Sequence, residues 1–218
     1  MKPEIAQLSY GIEQANSYLL ISDNRTIVVD VPSKYVLDEL LQRELIPDYV
    51  ILTHEHADHL WGLNSLRETF LEVKVIAQEQ CSEAIVSPLK NQAVQYHIYA
   101  ALRFGMNYIN PEAENKKYHC KPADIVFHKE YEFQWCGYRF KMLHTPGHSP
   151  GSSLLFMDDL VFSGDTMLNE NTFLRFDGGD EENFSRITFP ILCAMDSDTK
   201  IFPGHGRPFM KREWSKEV

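Results

Sequence analysis

Cysteine is scarce and unpaired in this 218-residue chain: Cys81, Cys120, Cys136 and Cys193 stand far apart, with no C-x-x-C among them. That leaves little support for a disulfide framework or a thiolate zinc site, and makes buried thiols the default reading of all four. Positive charge is also short. A formal net charge of −10 and a pI near 5.3 argue against the basic face that nucleic-acid proteins turn towards phosphates, so no nucleic-acid partner is expected. No basic leader followed by an apolar stretch opens the chain, and no apolar run approaches bilayer-spanning length. The expectation is a cytoplasmic protein without a membrane partner. Low-complexity tracts and linkers are missing too. With 44% apolar residues the chain can bury a sizeable core, and one domain spanning 1–218 is the natural count.

What is present is concentrated. Thr53-His54-Glu55-His56-Ala57-Asp58-His59 puts three imidazoles and two carboxylates directly behind the β-type run Tyr49-Val50-Ile51-Leu52. A helical zinc motif needs its histidines four apart on one face, and neither His54 to His56 nor His56 to His59 fits that rule. The segment therefore reads as a metal-binding loop at a strand exit. Histidine recurs in two further turn contexts after β-prone stretches, Thr145-Pro146-Gly147-His148 and Pro203-Gly204-His205-Gly206, and between them Leu160-Val161-Phe162 runs out into Ser163-Gly164-Asp165-Thr166. Five of the nine histidines thus fall where strands hand over to loops, the positions from which a rigid scaffold presents active-site groups. Gly147, Gly164 and Gly204 are read as turn residues that present the ligand following them. Imidazole and carboxylate donors without thiolate favour zinc, although manganese or iron can use the same set.

The ordered motifs His-x-His-x-Asp-His, Thr-Pro-Gly-His, Ser-Gly-Asp-Thr and Pro-Gly-His-Gly resemble the metallo-β-lactamase superfamily, and more narrowly the glyoxalase II-like thioester hydrolases and their persulfide dioxygenase relatives. Arg175-Phe176-Asp177 is similar to an Arg-x-Asp element of those relatives. The resemblance implies a four-layer αββα sandwich with metals at one edge between the sheets. It implies one metal ion on His54, His56 and His148, and a second on Asp58, His59 and His205, with Asp165 bridging. Two divalent ions held about 3.5–4 Å apart lower the pKa of a shared water, so that hydroxide can attack a thioester or ester carbonyl with no serine or cysteine nucleophile. Asp58 could orient that hydroxide or shuttle a proton. Asp30, at the end of an early strand, is expected to accept the second N–H of a coordinating imidazole.

Three functions fit the resemblance. The first is a dinuclear hydrolase of a small-molecule thioester or related acyl bond, with lactone, ester or phosphodiester substrates open. The second is a persulfide dioxygenase with a single iron on His54, His148 and Asp165. A binding module that keeps the fold without catalysis is the third. A β-lactamase proper is disfavoured, because Asp165 stands where many such enzymes carry cysteine. Oligomeric state is not readable.

The remaining pattern places the other elements. Residues 14–22 and 25–31 alternate as paired strands around an Asp23-Asn24 turn. Residues 33–45 carry Leu37, Leu40, Leu41 and Leu45 at helical spacing, with Pro47 as the stop. A short helix near 63–70, a strand at 73–77, a β-rich stretch over about 124–162 and a helix near 181–195 capped by Asp180 follow. Residues 80–122 read as a helical insertion. Tyr96, Tyr99, Phe104 and Tyr108 within it either wall the substrate pocket or complete the core. Glu55, His97, His119, His128 and His144 are read as surface or hydrogen-bonded structural residues, since no spacing recruits them. Arg175 is read as anchoring its loop through Asp177, and Ser149 and Thr166 as hydrogen-bond partners.

Overall fold

A computed structural model describes residues 3–10, 14–96, 98, 117–169, 172, 174 and 178–214. Two six-stranded sheets lie face to face. The first comprises β1 (Glu4–Tyr10), β2 (Ala15–Ser22), β3 (Arg25–Val29), β4 (Ile46–Ile51), β5 (Lys74–Gln78) and β6 (Ile125–Phe127) in chain order. The second comprises β7 (Glu130–Trp135), β8 (Tyr138–His144), β9 (Ser153–Met157), β10 (Leu160–Gly164), β11 (Lys200–Pro203) and β12 (Phe209–Met210), laid down as 12-11-10-9-8-7.

Strand periodicity explains the layers. Alternate side chains leave opposite faces of a sheet, so a strand apolar on both faces must be covered on both. Tyr18, Leu20, Ile27, Val29, Ile51 and Ile76 of the first sheet meet Phe140, Met142, Leu155, Met157, Phe162 and Phe202 of the second in the central core. Their neighbours Leu19, Ile21, Val28, Val50 and Val75 face outward and are covered by α1 (Tyr35–Gln42), α2 (Leu63–Thr69) and α3 (Glu79–Ala84). On the far side Leu154, Val161 and Ile201 pack under Phe184 and Leu192. Those two lie in a continuous helical run: α4 (Glu181–Asn183), a π-helical turn (Phe184–Thr188) and α5 (Phe189–Ala194). The result is the αββα sandwich. Asp180 caps the run by accepting from the Asn183 N–H at 2.8 Å.

Pairing directions decide where the loops emerge. β3 and β4 are parallel, so Asp30 and the 53–59 loop leave the first sheet at one edge. In the second sheet β10 and β11 are parallel and β8 is two antiparallel steps from β10, so the loops bearing His148, Asp165 and His205 also leave together. Bonds across the sandwich hold the two edges to one another. The Thr53 carbonyl accepts from Ser153 N–H at 2.8 Å, the Gly204 carbonyl accepts from Asn16 N–H at 2.7 Å, and the Pro203 carbonyl accepts from Asn16 Nδ2 and the Tyr18 hydroxyl.

Several expectations need correction. Helix α1 stops at Gln42, short of the expected residue 45, and Pro47 lies inside β4 rather than stopping the helix. Just past its end Glu44, with a φ of +54°, lets Glu44 N–H reach the Leu41 carbonyl and Leu45 N–H the Leu40 carbonyl, the double bond of a Schellman stop. Its core face is Val36 and Leu40, while Leu41 is exposed. The cysteines do not all act as buried thiols: Cys81 and Cys120 are buried, but Cys136 sits exposed in the β7–β8 turn and Cys193 is half-buried. Strand β1 lay outside the sequence reading. It is an edge strand with no fully buried side chain, so its alternation is weak. Within 80–122, Tyr96 packs edge-on against Trp61 at 5.9 Å, and 93–96 are helical. Tyr99, Phe104 and Tyr108 fall outside the described residues, as do His97 and Arg175 to Asp177. Among the described residues no helix is long and apolar enough to cross a membrane.

Candidate metal centre

The 53–59 loop leaves β4 extended and tightens into a 3₁₀ turn over Ala57–His59, which is what carries His54, His56, Asp58 and His59 into one cavity. The turn is braced from β3, since Val31 N–H donates to the His59 carbonyl at 2.8 Å. From the opposite sheet come His148, Asp165 and His205. Two donor groups span the sheets, beside a third, Asp30, His54 and His59, at the back of the cavity. Ligand atoms of His54, His56 and His148 lie within 4.8 Å of one another, as do those of Asp58, His59 and His205. His148 Nε2 is 3.0 Å from His56 Nδ1, and His59 Nε2 is 3.2 Å from His205 Nε2. Asp165 stands between the groups, with Oδ2 at 3.6 Å from His148 Nε2 and 3.4 Å from His205 Nε2, and Oδ1 at 3.6 Å from His59 Nε2.

Asp30 organises the back of the cavity. Its oxygens accept from Thr53 N–H (2.8 Å), Thr53 Oγ1 (2.6 Å) and His59 Nδ1 (3.1 Å). Because Thr53 Oγ1 spends its proton on Asp30, its contact with His54 Nδ1 at 3.0 Å makes the imidazole the donor. Both rings thereby keep Nδ1 as the nitrogen that donates outward and turn Nε2, the nitrogen a cation would take, towards the cavity. Asp30 adopts a φ of +57°, a left-handed conformation that aspartate tolerates better than most residues. Close approach sets the glycines. A Cβ on Gly164, itself at φ +48°, would fall 2.3 Å from Thr53 Oγ1, and one on Gly204 would fall 2.1 Å from Asp165 Oδ1.

The donor set fits a cation and little else. His54 Nε2 and Asp165 Oδ1 are buried polar atoms with no hydrogen-bond partner, a condition costly enough that it calls for an ion or a ligand. Burial, reinforced by the neighbouring imidazoles, holds His54 well below the usual histidine range and His56 down to about 3, so both present lone pairs. Burial alone would raise Asp58 and Asp165. The imidazoles of His59 and His205 override it and keep Asp58 near 2 and Asp165 lower than an ordinary aspartate. Burial would likewise depress His59 and His205, but the carboxylates of Asp58 and Asp165 win, lifting His59 to about 9 and His205 well above its ordinary value.

The residues given structural readings are all accounted for where they are described. Glu55 is not a surface group. It is buried, accepting from the Ser149 hydroxyl at 2.9 Å and Gly151 N–H at 3.2 Å, and burial raises its pKa. Spacing could not reveal this, since the partners lie some ninety residues away. His144 Nε2 donates to the Pro150 carbonyl, His119 Nδ1 to the Lys117 carbonyl, and exposed His128 pairs with Glu79. The Thr166 carbonyl accepts from Thr172 Oγ1. Beside His56 opens a cavity of about 570 Å³, walled by Gln80, Glu83 and Ala84 of α3, by Leu89, Lys90, Gln92 and Gln95, and by Pro150.

The profile of the metallo-beta-lactamase superfamily matches residues 10–205. The chain is 29% identical over 198 residues to a probable metallo-hydrolase of Streptococcus pyogenes serotype M6, covering 88% of this chain and 78% of the other. It is 26% identical over 183 residues to the hydroxyacylglutathione hydrolase of Brucella ovis, covering 83% of this chain but 56% of that enzyme. Among solved structures, the B3 metallo-beta-lactamase BLEG-1 superposes with a TM-score of 0.78 at 23% identity, covering 96% of this chain and 95% of that one.

Proposed function

The chain belongs to the metallo-β-lactamase superfamily, and on that premise we propose that it is a dinuclear metal-dependent hydrolase that cleaves a thioester or related acyl bond of a small molecule. The observation that carries this reading is the pair of buried atoms without a hydrogen bond, His54 Nε2 and Asp165 Oδ1, in a cavity where imidazole nitrogens from the two sheets approach to 3.0 and 3.2 Å. In this reading His54, His56 and His148 hold one ion, and Asp58, His59 and His205 hold the other. Asp165, within 3.6 Å of donors in both groups, is shared. An all-nitrogen-and-oxygen donor set favours zinc. Divalent ions at such a centre supply Lewis-acid chemistry, lowering the pKa of water towards neutrality and polarising a carbonyl.

The chain's own residues supply the rest. Asp30, through Thr53 and directly, sets the tautomers of His54 and His59 and so fixes which nitrogen each ring offers. Asp58, at the mouth of the second donor group, would orient the attacking water or shuttle its proton. Leu89, Ala84 and Pro150 give the neighbouring cavity an apolar wall against which an acyl group can lie, while Lys90 and the glutamines meet its polar end. Likeness to the Brucella hydroxyacylglutathione hydrolase supports the thioester class.

Metal analysis of purified protein, followed by turnover of a panel of thioesters, lactones, esters and phosphodiesters after exchange with zinc, manganese or iron, tests the reading. Two ions per chain and hydrolysis of a thioester are expected. One iron per chain, with oxygen uptake on a glutathione persulfide and no hydrolysis, would replace it with a dioxygenase. Tight binding of an acyl metabolite without turnover of any panel member would replace it with a binding module.

A further inference from the structure

The His54–His59 loop and the His148 loop rise from different sheets, so nothing in either sheet's own ladder sets the distance between them. Glu55 lies where they meet. It belongs to no donor group and lines the cavity beside His56, yet its neighbours on both sides, His54 and His56, belong to one donor group. Its Oε2 accepts from the Ser149 hydroxyl, next to His148, and its Oε1 from Gly151 N–H. The Ser149 hydroxyl is in turn 2.8 Å from Ser152 Oγ, which accepts from Ser149 N–H at 3.1 Å, so the 149–152 turn closes around the carboxylate. Gly151 leaves no slack there: a Cβ on it would stand 2.5 Å from Glu55 Oε2 and 2.3 Å from the Cys81 backbone nitrogen. The second donor group, Asp58, His59 and His205, is braced by Asp30 and Asn16.

We infer that Glu55 is a positioning residue, a buried strap that sets His148 against His54 and His56 and so controls the affinity of that metal group more strongly than that of the other. The inference rests on the metal-centre reading above. Its physical basis is that partners beyond the ligands orient them, and losing such a partner costs about 10- to 100-fold in metal affinity. The strap works through accepted hydrogen bonds. Glutamine can therefore replace it by giving its oxygen to Gly151 N–H and its amide N–H to Ser149 Oγ, whose proton then turns to Ser152.

The test compares wild type, Glu55→Gln, Glu55→Ala and Ser149→Ala by competitive chelator titration with zinc and by amide hydrogen exchange of the metal-free proteins. Glu55→Ala should weaken one of two zinc sites about 10- to 100-fold and leave the other within about twofold, with Ser149→Ala intermediate and Glu55→Gln near wild type. In metal-free Glu55→Ala, exchange at Gly151 N–H should quicken at least about tenfold, because its acceptor is gone. Equal weakening of both sites, wild-type affinity at both, or a Glu55→Gln defect as deep as that of alanine would overturn the inference. Should Glu55→Ala not fold, an unchanged zinc profile in Ser149→Ala would do the same. Wild-type protein that holds no zinc would sink the metal-centre reading, and unaltered Gly151 exchange in the metal-free variant would then sink the strap separately.

Discussion

At the scale of single residues, the donor cavity is governed by distances too short to admit an extra atom and by acceptors already committed. Gly204 illustrates the first. Its missing Cβ is the space Asp165 Oδ1 occupies, so Gly204→Ala should abolish zinc binding while far-ultraviolet circular dichroism stays that of a folded sandwich. Asp30 illustrates the second. All three groups that reach it are donors, so Asp30→Asn must turn an N–H towards one of them and leave the rings of His54 and His59 less firmly oriented. A loss of about 10- to 100-fold in zinc affinity or turnover is expected, and wild-type affinity in that variant would remove Asp30 from the account. Neither consequence is visible in the spacing of the motifs. The donors announce themselves because imidazoles and carboxylates crowd into seven residues, whereas what holds them is a threonine and an aspartate 23 residues apart in the chain.

At the scale of elements, the exit of each ligand loop depends on how its strand stops, and stops are poorly written in this sequence. Pro47 looks like the natural end of α1, yet the helix has already closed at Glu44 with a left-handed residue that is not glycine. A side chain in that conformation costs about 1–2 kcal/mol relative to glycine. Glu44 is exposed and its backbone bonds do not need the side chain. Glu44→Gly should therefore stabilise the protein by ~1 kcal/mol and raise Tm by about 2–4 °C, measured by thermal denaturation of the metal-free protein; a fall in Tm would show that the Schellman stop is not limiting there. Strands fared better than stops. β2, β3, β5 and β10 emerge where alternation or dense β-branched residues place them, because each is apolar on both faces. β1 and β12 escape notice because one is a half-buried edge and the other is two residues long.

At the scale of the whole molecule, the central core and the charge of the donor cavity set stability. Phe162 is fully buried between the sheets, stacked on Phe202 and edge-on to Tyr18, so Phe162→Ala should cost about 3–5 kcal/mol in chemical denaturation. The cavity makes stability depend on pH in the metal-free protein. His59 has its folded pKa raised to about 9, so its contribution is full below about 6.5 and is lost as pH climbs through 9. His56 is the reverse case. Its folded pKa of about 3 means the unfolded chain takes up the proton first, and stability falls as pH drops below about 6.5. On these two groups the metal-free protein should be most stable near the unperturbed histidine pKa of about 6.5. Loading a cation near pH 8 must also displace protons from His59 and His205, which calorimetry in buffers of different ionisation enthalpy would read as proton release. No release would mean that these two imidazoles are already neutral.

Sequence alone singled out seven candidate donors, His54, His56, Asp58, His59, His148, Asp165 and His205, the superfamily they resemble, and the order of most strands. These properties are local: each motif is a few adjacent residues, and each strand declares itself by a period of two. Tertiary structure decided the grouping of donors around Asp165, the tautomers fixed by Asp30, the burial of Glu55 beneath the Ser149 turn and the wall of the neighbouring cavity. All of these join residues from opposite sheets. Their partners are separated by tens to nearly two hundred positions, and no periodicity along a chain encodes a contact made only when two sheets close on one another.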